Sequence, residues 1–469
     1  MSSQEKSSKS QLGRRDFLKV IGAGGAALGT GAILAACGTP ATPAVTEAPQ
    51  ASETQPVEAP MPLKGTKIRA LLNDFPFTTY VVSKLPEFTQ LTGIEVEPEV
   101  VAWPVLLEQT EVELSSGSSN YDIMIQIFIK AQRFMRAGWS APLDDYIAKS
   151  GFDLNDFISS TRDSMNWEGV QYGIPFLAES TQMLYRSDKL KEAGLAIPQT
   201  FDELDTVLAA IHNPPDFYAY VCRTEPNGVH FPYPIWLQGF GGNVFRDPPN
   251  DLTPTLNTPE AIEATTRFVD IITKYSIAGT QIYATPDCQN AMAQGLAGIW
   301  VDALGIFPPV RDPATSTVAD KAEIALVPGG PAGRFPQIAS HGYQIPKNAK
   351  NKDAAWEFIN WACSADVMLG SALDAIGYFA LPRQSVLTSA AYAEKYDQGE
   401  SKIGELIAEA VNLAKVAYRV VPEFPEVGAR IGQGIGEIVS GQKDVQTAMN
   451  DVQTDVEQIM INAGNTINP

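Results

Sequence analysis

Polar and apolar residues alternate from Lys67 to Leu72 and again from Ile94 to Val100, the two-residue period of strands with one buried face. From Asp122 to Ile129 the chain is apolar with few interruptions, a run suited to a strand covered on both faces. Between such runs lie helical patterns. Thr200 and Glu203 form a capping box ahead of Leu204, Val207, Leu208 and Ile211, which share one helical face. Thr258, Pro259 and Glu260 supply an N-cap, a proline at the first helical position and an early carboxylate, predicting a helix to about Lys274. Ala355, Phe358, Ile359 and Ala362 repeat the one-face pattern in a helix opening near Asp353. Strands alternating with helices predict α/β layers with largely parallel sheets.

Ahead of this body the pattern is different. Gly13-Arg14-Arg15-Asp16-Phe17-Leu18-Lys19 precedes a Gly/Ala-rich apolar run that ends Leu34-Ala35-Ala36-Cys37. A charged start, an apolar middle and a small-residue end make an export signal, and the paired arginines mark the route that carries folded proteins. The last four residues resemble a bacterial lipobox, in which the cysteine is acylated, so residues 1–36 are expected to be removed and Cys37 lipidated. Five glycines from Gly22 to Gly31, and an apolar run short of the ~20 residues a span requires, argue against a transmembrane helix here. Residues 37–65, rich in Pro, Thr and Ala, have little to bury and read as a disordered tether. The expected location is the outer face of the bacterial cell membrane.

About 400 residues follow the tether, more than the ~250–300 at which one core stops growing, so at least two domains are expected. The formal charge is −20, and removal of residues 1–36, with five basic and two acidic side chains, makes the body more negative still. Nucleic acid is excluded as a partner, since phosphate binding requires basic surface. Cys222, Cys288 and Cys363 show no C-x-x-C spacing, which excludes an iron-sulfur cluster or zinc ribbon. They read as buried thiols, with a Cys222 to Cys288 bridge as the alternative.

The order of local motifs resembles the extracellular solute-binding proteins of ABC importers, in the group that handles sugars and sugar alcohols. The matching pieces run from Phe88–Val96, Tyr121–Met124 and Gly138–Asp144 through Tyr172–Pro175 and Leu184–Asp188 to Ala354–Trp361. Trp300-Val301-Asp302-Ala303, Arg311-Asp312-Pro313 and Leu381–Val386 are similar to the polyol-binding branch. The resemblance implies an α/β, two-lobed periplasmic-binding-protein-like fold of the maltose-binding type, closing by hinge motion on one ligand. It places crossovers near Glu179–Thr181, Ile299–Asp302 and Gly342–Ile345. Residues 66–178 and 303–341 then form lobe one, and residues 182–298 and 346–460 lobe two. The implied partners are a small neutral carbohydrate or polyol and the permease subunits of an ABC transporter. The chain is expected to act as a monomer, with no cofactor and no metal.

A polyol presents C–H faces and paired hydroxyls, so its site requires aromatic platforms and side chains that bond two hydroxyls at once. Glu179, at the first expected crossover, matches a glutamate that contacts ligand in maltose-binding relatives; otherwise it is an exposed carboxylate. Asp302 stands in an apolar stretch where a lone carboxylate is costly, so a ligand, Arg311 or a backbone cap must satisfy it. Trp300 and Trp236 are stacking platforms or core. Phe75 lies in the loop after the first strand, Trp103 at the helix start after the second, and Gln126 at the carboxyl end of the buried run, where open α/β sheets bind ligands. His341 and Tyr343 stand where the polyol branch often has tryptophans. Arg383 reaches the cleft or forms a surface salt bridge.

Enzyme signatures are missing. His212, His230 and His341 form no H-E-x-x-H, and no G-x-S-x-G, Walker A loop or G-x-G-x-x-G is present. Two alternatives stay open at this point: a glycosidase using Glu179 and Asp302 as its carboxylate pair, and a lipid-anchored chemoreceptor for carbohydrate.

Overall fold

In the computed structural model, residues 61–468 are described, apart from 230, 249, 278, 280, 281, 376, 398, 399 and 415–420. Cys37, the signal and most of the tether lie outside the described residues.

Two five-stranded sheets organise the chain. In the first, the strands run in the order Glu95–Val101, Lys67–Asn73, Ile123–Gln126, Gly342–Gln344 and Ile174–Pro175. The first three are parallel and the last two antiparallel to their neighbours. The predicted strands at 67–72 and 94–100 are present within a residue of their expected ends. The apolar run 122–129 pairs only over Ile123–Gln126, four fully buried residues. Beyond it the chain leaves the sheet, which frees Phe128 to point elsewhere.

The second sheet is built around Glu179–Arg186, flanked by Ala322–Leu326 on one edge and Ala297–Ala303 on the other, with Tyr218–Val221 outermost. Its pairings are antiparallel except between Ala297–Ala303 and Tyr218–Val221, so the expectation of largely parallel sheets fails in this half. Alternate residues of the central strand face opposite ways, as a pleat requires. Met183 and Tyr185 join Leu204, Leu208, Phe268 and Ile431 in one core, and Leu184 joins Trp300, Phe307 and Ile407 in another that is continuous with the core under the first sheet. Each fully buried side chain of this size contributes roughly 1.5–3 kcal/mol.

The helices follow their local signals. Thr200 accepts the Glu203 amide at 3.2 Å, and the helix Phe201–Ile211 buries the five residues of its apolar face. Thr258 accepts the Ala261 amide at 3.4 Å, and the helix it caps runs through Pro259–Tyr275. Lys352–Ala362 buries Phe358 and Ile359, with Phe358 edge-on to Phe88 of the first lobe.

Strand pairing divides the chain differently from the expected boundaries. The chain passes between sheets at 176–179 and returns at 340–341, where Phe176 donates to the His341 carbonyl at 2.9 Å and Ser340 to the Leu177 carbonyl at 2.7 Å. The helix Ile403–Leu413 packs with Leu184 and Ile324 on one face of the second sheet, and the helix Phe424–Val439 lies in the core on its other face. Residues 322–326 and 338–339 therefore belong with the second sheet, and 342–362 with the first. Ile299–Asp302 is no crossover but a central part of the second sheet. The physical reason is the eight-residue strand Glu179–Arg186, whose two edges both require hydrogen-bonding partners. Both Ala297–Ala303 and Ala322–Leu326 are drawn to it.

Candidate functional site

Strand ends and crossings converge on one seam between the lobes. Phe128, just past the end of Ile123–Gln126, packs against the second-lobe core, with its ring 6.4 Å from Phe424. Phe231, Ala303 and Ala339 form a small buried cluster of their own, to which Phe128 and Ile306 add. His341, at the second crossing, lies edge-on to Trp103 at 4.8 Å and to Phe128 at 5.1 Å. Its Nδ1 accepts the Phe128 amide at 3.4 Å, which leaves Nε2 as the protonated nitrogen. Burial holds its pKa down to about 3, so the ring is neutral.

Glu179 opens the central strand of the second sheet beside this cluster. The hydroxyl of Tyr378 lies against it, and burial, then the Glu179 charge, holds that phenol well above its ordinary pKa. Phe75 meets the Tyr378 ring edge-on at 4.8 Å. Gly305 completes the corner, since a Cβ there would stand 2.2 Å from Glu179 Oε1 and 3.0 Å from the Tyr378 hydroxyl. A side chain at 305 cannot coexist with this placement of Glu179.

Asp302 is fully buried and already satisfied. Arg223 grips it with two nitrogens, Nε donating to Oδ2 at 2.8 Å and a terminal nitrogen donating to Oδ1. Trp300 Nε1 donates to Oδ2 at 3.1 Å and the Ala303 amide to Oδ1 at 2.7 Å. The partner is thus Arg223 and not Arg311, whose carboxylate neighbour is Glu323 at 3.9 Å.

Other expected lining residues are placed in cores. Trp300 is fully buried, edge-on to Phe307. Trp236 stacks on Phe201 at 4.2 Å inside the second lobe. Tyr343 packs between Phe176 and Phe358 inside the first. None of the three offers a face to the seam, because their strands and helices turn those positions inward. Gln126 is fully buried with its amide against Gly173, and neither amide atom finds a partner. Arg383 pairs with Asp156 at 2.7 Å, donates to the Cys363 carbonyl at 2.7 Å and covers Phe157, a salt bridge that is buried and not on the surface as expected.

The structure therefore brings Phe75, Trp103, Glu179 and His341 to the seam, and adds Arg223, Phe128, Phe231, Phe424 and Tyr378. Phe128 was foreshadowed by its place at the end of an apolar run. Arg223 carried a weaker signal, a cation two residues past a short apolar strand. Among the described residues no group of three or more His, Cys, Asp or Glu side chains is placed to hold a metal ion. Cys222, Cys288 and Cys363 are buried thiols, with burial raising the pKa of each and leaving little nucleophilic thiolate. No helix among the described residues is long and apolar enough to cross a membrane.

Comparison with known proteins agrees with this architecture. Residues 71–369 match the family model described as bacterial extracellular solute-binding protein. The erythritol/L-threitol-binding protein of Mycolicibacterium smegmatis is 25% identical over 397 residues, covering 80% of this chain and 82% of that one. The mannitol-binding protein of Pseudomonas aeruginosa is 24% identical over 385 residues, with 77% and 85% covered. A solute-binding protein of an ABC transporter from Agrobacterium radiobacter, solved in complex with ribitol, superposes with a TM-score of 0.76 at 24% identity, covering 85% of this chain and all of its own. With a two-lobed fold, a seam at the chain crossings and a family match over most of its length, the chain belongs to the bacterial extracellular solute-binding proteins.

Proposed function

We propose that this chain captures a small neutral polyhydroxylated solute, a sugar alcohol, monosaccharide or short oligosaccharide, between its lobes and delivers it to an ABC permease without making or breaking a bond. One observation carries the reading: aromatic rings from both lobes, Phe128, Phe231 and Phe424, meet beside a carboxylate, Glu179, and a guanidinium, Arg223. Rings take the C–H faces of such a solute, and the two charged groups take paired hydroxyls. The names of the erythritol/L-threitol- and mannitol-binding relatives support the ligand class. Trp103, Phe75 and His341 complete the lining in this reading. The export signal and Cys37 fit a lipid-anchored receptor held at the outer face of the membrane.

The test is a thermal-shift and calorimetric screen of erythritol, ribitol, D-mannitol, glucose, maltose and maltotriose. At least one raises the melting temperature in proportion to the logarithm of its concentration, as binding to the folded form alone requires. A blank across the panel, or turnover of the oligosaccharides by the pure chain, overturns the reading.

A further inference from the structure

We infer that Arg223 is a ligand-contacting and specificity-determining residue, and that Asp302 is the positioning residue that aims it. The inference rests on the function proposed above.

The register of the second sheet sets the pair. Val221 stands opposite Trp300 in a parallel pairing, and Arg223 and Asp302 each lie two residues farther on, at the carboxyl ends of adjacent strands. Asp302 takes four donors there, two from Arg223, one from Trp300 and one from the Ala303 amide. With no exposed surface and its acceptor sites occupied, it has no room for a ligand hydroxyl. Arg223 keeps 16% of its side chain exposed, so the guanidinium is the face that the pair presents. It lies 5.5 Å from the centroid of the Phe231 ring, in the cluster that holds Ala303, Ala339, Phe128 and Ile306.

A buried ion pair is a weak device for stability, since apolar residues of the same volume often do as well. Holding a rigid fork in one orientation is something apolar residues cannot do. One edge of the guanidinium, Nε and one terminal nitrogen, is spent on Asp302, and the other terminal nitrogen is left to donate beside an aromatic wall. That arrangement suits adjacent hydroxyl oxygens of a chain or ring whose C–H groups rest on Phe231. Because Asp302 already balances the charge of Arg223, and Glu179 adds a second carboxylate to the seam, the site favours uncharged diols over sugar phosphates or sugar acids.

Calorimetry with D-mannitol, ribitol and maltose tests this on the wild-type chain, on Arg223→Lys and on the double variant Arg223→Met with Asp302→Asn, alongside the ligand-free melting temperature of each. The double variant removes the fork without leaving a buried charge alone. It is expected to melt within a few degrees of wild type and to bind at least 30-fold more weakly. Arg223→Lys keeps the charge and loses the fork; a loss of tenfold or more is expected. Wild-type affinity in either variant overturns the inference and leaves the proposed function standing. Tighter wild-type binding of mannitol 1-phosphate than of D-mannitol also overturns it. A wild-type chain that binds none of these three probes overturns the inference, and one that is blank with erythritol, glucose and maltotriose as well overturns the reading it rests on.

Discussion

Arg136 of the first lobe and Glu423 of the second meet at 2.9 Å on the rim of the seam, and beside them Arg133 reaches Glu426 at 2.5 Å. Arg133 also holds Glu111 of its own lobe at 3.2 Å, so it is oriented before it crosses. Both glutamates stand at the start of the helix Phe424–Val439, where the helix dipole favours negative charge. The lobes are thus pinned together by charge as well as by the aromatic contacts behind it.

The pins predict a salt-sensitive equilibrium between lobe positions even for an uncharged ligand. Each partly exposed pair is worth about 0.2–1 kcal/mol, and screening removes part of it. Spin labels on Val112→Cys and Ile461→Cys, two exposed positions on opposite lobes, with Cys37 replaced by Ser, report the separation. It should lengthen in Glu423→Arg with Glu426→Arg and shorten again when Arg133→Glu and Arg136→Glu are added. An unchanged separation throughout would remove the pins from the account.

Gly305 is a second point of test. A methyl group there must displace the Glu179 carboxylate or the Tyr378 hydroxyl, which come within 2.2 and 3.0 Å of it. Gly305→Ala should fold, yet bind the best ligand of the screen at least tenfold more weakly by calorimetry. Full affinity would mean that Glu179 does not touch ligand.

Asp302→Ala separates structure from recognition. It strips a partner from Arg223 and from Trp300 Nε1 at once. Breaking a buried pair from one side costs about 3–5 kcal/mol, so the urea midpoint should fall sharply. A loss under about 1 kcal/mol would show that Arg223 turns out to solvent when released.

His341 gives the fold a pH dependence of definite sign. In the folded chain burial holds its pKa down to about 3, whereas an unfolded histidine titrates near 6.5. Between those values the unfolded chain binds the extra proton, so the contribution is complete above about pH 6.5 and is lost progressively as pH falls toward 3. At pH 5 the deficit is about 2 kcal/mol. His341→Phe should flatten that part of the profile in urea titrations at pH 5 and pH 7; an equal slope in both chains would assign the acid sensitivity elsewhere.

The caps at Thr200 and Thr258 and the strands at Lys67–Asn73 and Glu95–Val101 were legible because their signals are local: spacing, a hydroxyl, a proline. What periodicity cannot say is which surface a buried face meets. Trp300 and Trp236 carry the right chemistry for a platform, and only tertiary packing turns them inward. Asp302 was rightly marked as a costly carboxylate, but its answer, Arg223, stands 79 residues away in sequence and is fixed by strand register. The allocation of chain to lobes failed for the same reason. It depended on which strands would fill the two edges of Glu179–Arg186.

The paired bonds from Phe176 to His341 and from Ser340 to Leu177 weld these two passages into a single ribbon. Such a ribbon flexes readily across its width but resists torsion and shear, because either would pull those bonds apart. The two halves are therefore confined to something near one angular coordinate. A permease reading that angle would distinguish loaded from empty by a single number, whichever solute the seam has taken.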